Sequence, residues 1–327
     1  MSADLPGAVS IREVGPRDGL QNEDPVPADG KVRLLDLLAT TGVRRIEAVS
    51  FVHPRAIPQM ADADEVWRRA TKAPQVHYSA LVPNSKGAQR ALAAGFTEIE
   101  VVVSASDTHN RRNVNRSTAE SLDDIAGLIS LLHEAGATAE VIVATSFGCP
   151  YEGDVDPGRV AGIVDRVVAD GADRVAFGDT TGMATPRRVR ELVATVRNRQ
   201  PDIPVLLHFH NTRGTALANL LTALELGVTE YDASVGGLGG CPYAPGRAGT
   251  WPPRRWCTCC TTWASRPAST WTPYWRRRRT RSSSSAGSCR PGCSGPARAA
   301  GSRRRDGERA QERANGGVTG VGSDKPG

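Results

Sequence analysis

AEVIVATSFGCPYEGDVDPGRVAGIVDRVVADGADRVAFGD, residues 139–179, is the stretch that decides the fold. Its two ends, AEVIVATSF (139–147) and DRVAFGD (173–179), are short apolar runs rich in β-branched and aromatic residues, the composition of buried strands. Between them PGRVAGIVDRVVADG (157–171) repeats its apolar residues at helical spacing, opens on Pro157 and closes on Gly171. Strand, helix and strand in that order predict a parallel pair joined by a crossover helix.

The same unit recurs in both directions. Further strands are predicted over SIREVG (10–15), RIEAVSF (45–51), VHYSALV (76–82), TEIEVVVS (97–104), PVLLHFH (204–210) and TEYDASV (229–235). Helical patterns lie between them, as in GKVRLLDLLATTG (30–42), SLDDIAGLISLLHEAG (121–136), TPRRVRELVATVRNRQ (185–200) and ALANLLTALELG (216–227). Eight strands within about 230 residues predict an α/β protein with a TIM (β/α)8 barrel, which typically needs about 250. An open, doubly wound sheet is the second choice and seldom needs eight strands. A barrel requires one more helix after its eighth strand. The chain offers WPPRRWCTCCTTWASRPASTW (251–271) there, with adjacent prolines and no apolar periodicity. The expectation is a barrel domain over 1–246 that lacks its last helix, followed over 247–327 by a non-native, largely disordered basic tail.

Charge and cysteine divide at the same place. The net charge of +6 hides two opposite halves, because residues 246–327 carry 16 Arg, one Lys and four acids while the body is net acidic. Only Cys149 and Cys241 belong to the body, against five cysteines in the tail. So few body thiols suit a reducing compartment without structural disulfides. No apolar run approaches the roughly 20 residues of a membrane span. The N-terminal MSADLPGAVSIREVG has neither the basic nor the apolar region of a secretion signal. A soluble cytoplasmic protein is expected, with no membrane partner.

In such a barrel the chemistry sits at the C-terminal ends of the strands. Those ends supply Arg17, Asp18 and Gln21 after strand one, Glu47 on strand two, Asp179 and Thr180 after strand six, His208 and His210 on strand seven, and Cys241 after strand eight. His208 and His210, spaced i and i+2 on a strand, share a face. With Asp18 two strands away they make a candidate site for Mg2+, Mn2+ or Zn2+. Arg17 beside Asp18 places a cation where an enolate or carbonyl oxygen would lie; a surface ion pair is the plainer alternative. Glu47, a carboxylate in an apolar strand, either holds Arg17 or is an acid/base, and the holding role is favoured. Asp179 either supports the metal site or caps the next helix. Cys241, in a glycine-rich loop, is a candidate for proton transfer. Cys149 reads as packing or as part of a substrate wall.

Taken together, EVGPRDGLQNE (13–23), IEAVSFVHPRAIPQMAD (46–62), LVPNSKGAQRALAAG (81–95), SASDTHNRRNVNRS (104–117), GCPYEG (148–153), GDTTGMATP (178–186), HFHNTRGTALAN (208–219) and GGLGGCPYAPG (236–246) resemble the hydroxymethylglutaryl-CoA lyase family over roughly residues 10–246. The resemblance implies retro-Claisen cleavage of 3-hydroxy-3-methylglutaryl-CoA to acetyl-CoA and acetoacetate, with Mg2+ or Mn2+ as cofactor and a homodimer as the assembly. It implies Asp18, His208 and His210 as metal ligands, Arg17 and Gln21 as substrate contacts, and Arg17, Cys241, Glu47 and Asp179 as catalytic positions. The alternatives are a Claisen-condensing acyltransferase of the isopropylmalate or homocitrate synthase type, and an inactive truncated product. One position departs from the family pattern: Thr250 stands where the family has an asparagine as fourth ligand.

The genetic code offers a reason. Joining the third base of each codon to the first two of the next, Trp251–Pro252 forces Ala, Trp256–Cys257 forces Val, Trp263–Ala264 forces Gly and Trp271–Thr272 forces Asp. With permitted codons this frame reads ASGNVATEEVVYMLHDLGIETGVDLDAVL over 247–275. That string restores the asparagine and an amphipathic helix. A one-base deletion near codon 246 is therefore expected. On that reading the tail's cysteines are no metal motif and its arginines call for no nucleic-acid partner.

Overall fold

The structure is a computed structural model that describes residues 5–240. Eight strands close into a barrel in sequence order: β1 (Ser10–Glu13), β2 (Arg45–Ser50), β3 (His77–Val82), β4 (Glu98–Ser104), β5 (Thr138–Ala144), β6 (Arg174–Asp179), β7 (Val205–Phe209) and β8 (Glu230–Ala233). All neighbours are parallel, and β1 pairs with β8 from Ser10↔Glu230 to Glu13↔Ala233, which closes the ring. The expected (β/α)8 barrel is thus present. The missing last helix, the boundary at 246, the tail, Cys241 and Thr250 lie outside the described residues.

The helices are α1 (Ala28–Ala39), α2 (Ala63–Arg69), α3 (Ser85–Ala93), α4 (Asp107–Val114), α5 (Thr118–Glu134), α6 (Pro157–Ala169), α7 (Pro186–Arg199) and α8 (Ala216–Glu225). Local chemistry sets their starts. The Asp156 carboxylate accepts the Gly158 N–H ahead of α6, and the Thr185 hydroxyl accepts the Arg188 N–H ahead of α7. Ser117 and Glu120 form a reciprocal capping box at α5. The β4–β5 crossover holds two helices, so α4 lies over the barrel mouth before α5 returns along the wall.

Strand alternation sorts the side chains into two sets. Val141, Val143, Val175 and Phe177 face outward and bury against Val160, Ile163, Val164 and Val167 of α6 and Val189, Leu192, Val193 and Val196 of α7. The inward set differs from the branched aliphatic layers usual in this fold. Arg12 of β1, 2% exposed, donates to both oxygens of Asp232 on β8 (2.8 and 3.0 Å), to Glu100 on β4 (2.6 Å) and to Glu140 on β5 (2.8 Å). Ser79 on β3 adds a 2.5 Å hydrogen bond to Glu100. Arg45 and Arg174 approach Glu140 from the strand N-termini, at 3.8 and 3.5 Å. An ionic layer therefore fills the middle of the barrel, and the functional cleft opens above it.

The predicted strands all exist, with ends displaced by up to three residues. The clearest case is β5, expected to run to Phe147 and ending at Ala144. Thr145 takes a left-handed backbone (φ 56°), and its hydroxyl lies 2.8 Å from that of Ser104. That conformation cannot continue a strand.

Candidate active site

After β1 the chain turns through a short π-helical segment, Gly15–Gly19. Gly15 is required there, because a Cβ would lie 2.7 Å from Glu13 Oε1 and 2.8 Å from Val235 Cγ1. The turn points Arg17 and Asp18 inward, where both are buried. His208 and His210 enter from β7 with ring centroids 4.9 Å apart. One ligand atom from each of Asp18, His208 and His210 lies within 4.8 Å of the other two.

Neighbours fix both imidazoles. His210 Nδ1 donates to the Thr180 carbonyl at 2.8 Å, which leaves the Nε2 lone pair facing the cluster. That Nε2 is buried and has no hydrogen-bond partner. Burial, reinforced by the neighbouring His208, pushes His210 down to about 4, so the ring is neutral at pH 7. His208 Nδ1 lies 2.9 Å from Asp232, itself gripped by Arg12, and its Nε2 lies 3.9 Å from Asp18. Burial works against the charged form of His208, but Asp232 and Asp18 outweigh it and raise the group. A buried, unsatisfied imidazole nitrogen beside a second imidazole and a carboxylate fits a divalent metal.

Arg17 is clamped. Its guanidinium meets Glu47 through two hydrogen bonds of 2.5 and 2.6 Å and Asp18 through one of 3.1 Å. Of the two roles open to Glu47, this geometry is the holding one. Burial opposes the charge on Arg17, and Glu47 and Asp18 together raise the group above its ordinary value. Gln21 donates to Asp18 (2.9 Å) and to the Gly240 carbonyl (3.3 Å), and Asn22 also donates to that carbonyl.

Asp179 is placed differently from the rest. It shares the outward parity of Val175 and Phe177 and does not line the cleft. Its carboxylate accepts the Ala184 N–H at 2.9 Å. Nor does it cap α7, which Thr185 does. Asp179 braces the turn whose Thr180 carbonyl orients His210, and its carboxylate also acts electrostatically on His208. Cys149 is buried, with its thiol 2.9 Å from the Ser106 hydroxyl. It packs, and does not line the cleft.

The cleft holds about 350 Å3 and runs from Arg17, Asp18, His208 and His210 past Leu81, Val102 and Ile142 to His109, Asn113 and Arg116 beside α4 and α5. Sequence reasoning missed Arg12, Glu100, Glu140 and Asp232, which stand behind this site. Their signal was a charged residue at an inward position in each of four apolar strands.

Glu13 ties this floor to the loop after β8. Its Oε1 accepts the N–H groups of Gly15 and Val235, both at 2.8 Å. Burial outweighs those bonds and lifts the carboxyl to about 7. The folded chain therefore keeps a proton that the unfolded chain has lost between the ordinary carboxylate value and 7. Its contribution makes stability fall as pH rises through that window, by up to about 1.4 kcal/mol per pH unit. Glu13→Gln keeps the acceptor oxygen and removes the titration. Urea midpoints between pH 4.5 and 7 should fall less steeply in E13Q than in the unaltered chain; parallel slopes would contradict this account.

The chain also has relatives of known family. The HMGL-like family model matches residues 8–253. The chain belongs to the hydroxymethylglutaryl-CoA lyase (HMGL-like) family. It is 45% identical over 245 residues to hydroxymethylglutaryl-CoA lyase YngG of Bacillus subtilis, covering 75% of this chain and 82% of that protein. It is 43% identical over 254 residues to (R)-citramalyl-CoA lyase of Chloroflexus aurantiacus, covering 74% and 80%. Among solved structures, an HMG-CoA lyase of Acinetobacter baumannii in complex with coenzyme A and 3-methylmalate superposes with a TM-score of 0.75 at 40% identity, covering 78% of this chain and 84% of that one. Membership in this lyase family accords with the mouth-facing position of Arg17, Asp18, His208 and His210.

Proposed function

We propose that the chain is a carbon–carbon lyase that cleaves 3-hydroxy-3-methylglutaryl-CoA to acetyl-CoA and acetoacetate. The observation that carries this reading is the orphaned Nε2 of His210 facing His208 and Asp18, with a clamped arginine alongside. Asp18, His208 and His210 would hold a divalent ion, Mg2+ or Mn2+. Such an ion supplies Lewis acidity toward the oxygens of the substrate.

The chain's own residues do the rest. Arg17, held charged by Glu47, stands where the thioester oxygen gains negative charge as the C–C bond breaks. Gln21 steadies Asp18 and keeps its amide oxygen for the substrate. Asp232 and the Thr180 carbonyl hold the two imidazoles in the tautomers that present Nε2. Asp179 acts by bracing the 180–184 turn. A general base takes the carbinol proton as the C–C bond breaks and the ketone forms, and protonation of the departing acetyl-CoA carbanion is assigned to Cys241, outside the described residues. The same reading has the enzyme act in the cytoplasm as a homodimer, which light scattering of the purified chain tests.

Supplying the thioester with Mn2+ and assaying acetoacetate tests the reaction. The assay is run on this chain and on a version with the frame restored after codon 246, the change that the Trp–Pro and Trp–Cys codon pairs motivate. Activity should be higher with the frame restored, and EDTA should abolish it. No acetoacetate from either chain sinks the reaction, and equal solubility and activity of the two sinks the frame proposal. Pyruvate and acetyl-CoA formed from citramalyl-CoA in preference would move the assignment to that substrate. His210→Ala should weaken Mn2+ binding more than about 100-fold, beyond the 10–100-fold typical when a ligand's supporting partner is lost. Calorimetric titration of Mn2+ reads this without any turnover.

A further inference from the structure

Gly178 lies in β6 beside His208 of β7, its register partner. It points into the barrel, as Ala176 does, and lines the cleft. Two ordinary reasons for a glycine are absent at this position. Its backbone is not in the left-handed region, unlike thirteen other glycines among the described residues. Nor does a neighbour forbid a side chain, since a Cβ would meet nothing closer than Ala144 Cα at 3.5 Å, an ordinary contact. Alanine would fit the strand and would cost it less conformational entropy. What a Cβ would take away is room on the cleft wall, beside Ala144 Cα, the Val143 carbonyl oxygen at 3.6 Å and Thr180 Oγ1 at 3.8 Å. Ile142 and Val102 are only half-buried while their outward neighbours Val141, Val143, Val101 and Val103 are fully buried, so the cleft reaches down to them.

We infer that Gly178 is a specificity-determining residue, whose missing side chain leaves the seat for the alkyl branch on the tertiary carbinol carbon of the substrate. This rests on the proposed lyase reaction for the identity of the ligand. A carbinol oxygen held at the His208 side of the cleft puts the other substituents of that carbon against β5 and β6. There Ala144, Ile142 and the bare backbone of Gly178 line the cleft, with the Thr180 hydroxyl at its edge. One methyl group fits that space, and a larger branch meets Ile142.

The test is calorimetric binding of 3-hydroxy-3-methylglutarate and of 3-hydroxyglutarate, which lacks the methyl, to the Mn2+-loaded chain and to Gly178→Ala. The unaltered chain should prefer the methylated diacid. In G178A its affinity should fall at least about tenfold while that of the desmethyl diacid stays within about threefold, the range a single misplaced carbon commands in a fitted pocket. Mn2+ affinity and Tm should not fall. Ile142→Ala is the second variant, and should improve binding of the 3-ethyl homologue relative to the methyl compound by a similar factor. Equal loss of both diacids in G178A, an unchanged preference in G178A, an unchanged ethyl-to-methyl ratio in I142A, or no methyl preference in the unaltered chain each overturns the inference. The binding pattern without acetoacetate production would sink the proposed reaction and leave the role of Gly178 standing.

Discussion

Arg17→Ala lowers kcat/KM for 3-hydroxy-3-methylglutaryl-CoA by about a thousandfold, at the upper end of what loss of one preorganised donor costs. The upper end is expected because the group lost is a charged guanidinium held in place by Glu47 and Asp18. Stability suffers for a separate reason. Glu47 is 0% exposed and loses the partner that holds it ionised against burial; breaking a buried pair on one side typically costs about 3–5 kcal/mol. The two effects separate in the double variant. Arg17→Ala with Glu47→Gln should recover most of the urea midpoint and none of the rate. Metal affinity should hold or tighten, because Arg17 competes for the Asp18 oxygen at 3.1 Å. A double variant that regains activity along with stability would show that Arg17 only fills space.

The second large effect belongs to Arg12. Arg12→Met leaves Asp232, Glu100 and Glu140 buried around an uncharged side chain. Loss of one partner from a buried pair costs about 3–5 kcal/mol, and here Arg12 meets three carboxylates, of which Glu140 keeps Arg45 and Arg174 and Asp232 keeps His208, so the loss is a large fraction of the stability of about 5–15 kcal/mol typical of a domain. The chain should be largely unfolded at 37 °C by circular dichroism. Arg12→Lys keeps the charge but cannot grip Asp232 with two parallel bonds. It should fold, with Mn2+ affinity down about 10–100-fold as Asp232 loosens its hold on His208. A stable R12M protein with intact metal binding would refute the account of the ionic layer.

Strand order and site position were legible because both depend on local patterns. Branched apolar runs between amphipathic helices give eight strands, and the barrel topology then says which end of each strand carries chemistry. Arg17, Asp18, His208 and His210 were found in that way. The ionic layer was not, because a single charge inside an apolar run looks locally like an edge or a surface position. Arg12 acquires meaning only from partners 88, 128 and 220 residues away, which closure of the ring brings together. The position of Asp179 was legible in principle. Counting by twos along DRVAFGD puts it with Val175 and Phe177 on the outer face, whereas being the last carboxylate of a strand suggested the cleft. Thr145 illustrates a different limit, since nothing in VATSF announces a left-handed residue that ends β5.

The pairing of β1 with β8 bears on how a ribosome can deliver this protein. The guanidinium of Arg12 emerges early, and the carboxylate it grips with two bonds leaves the exit tunnel 220 residues later. At elongation speeds of about 5–20 residues per second, that is tens of seconds during which the ring stands open to water with these charges unmatched. Chaperone capture and proteolysis therefore compete with folding mainly during translation, and slowing elongation ahead of codon 230 should lower the yield of folded chain more than slowing it afterwards.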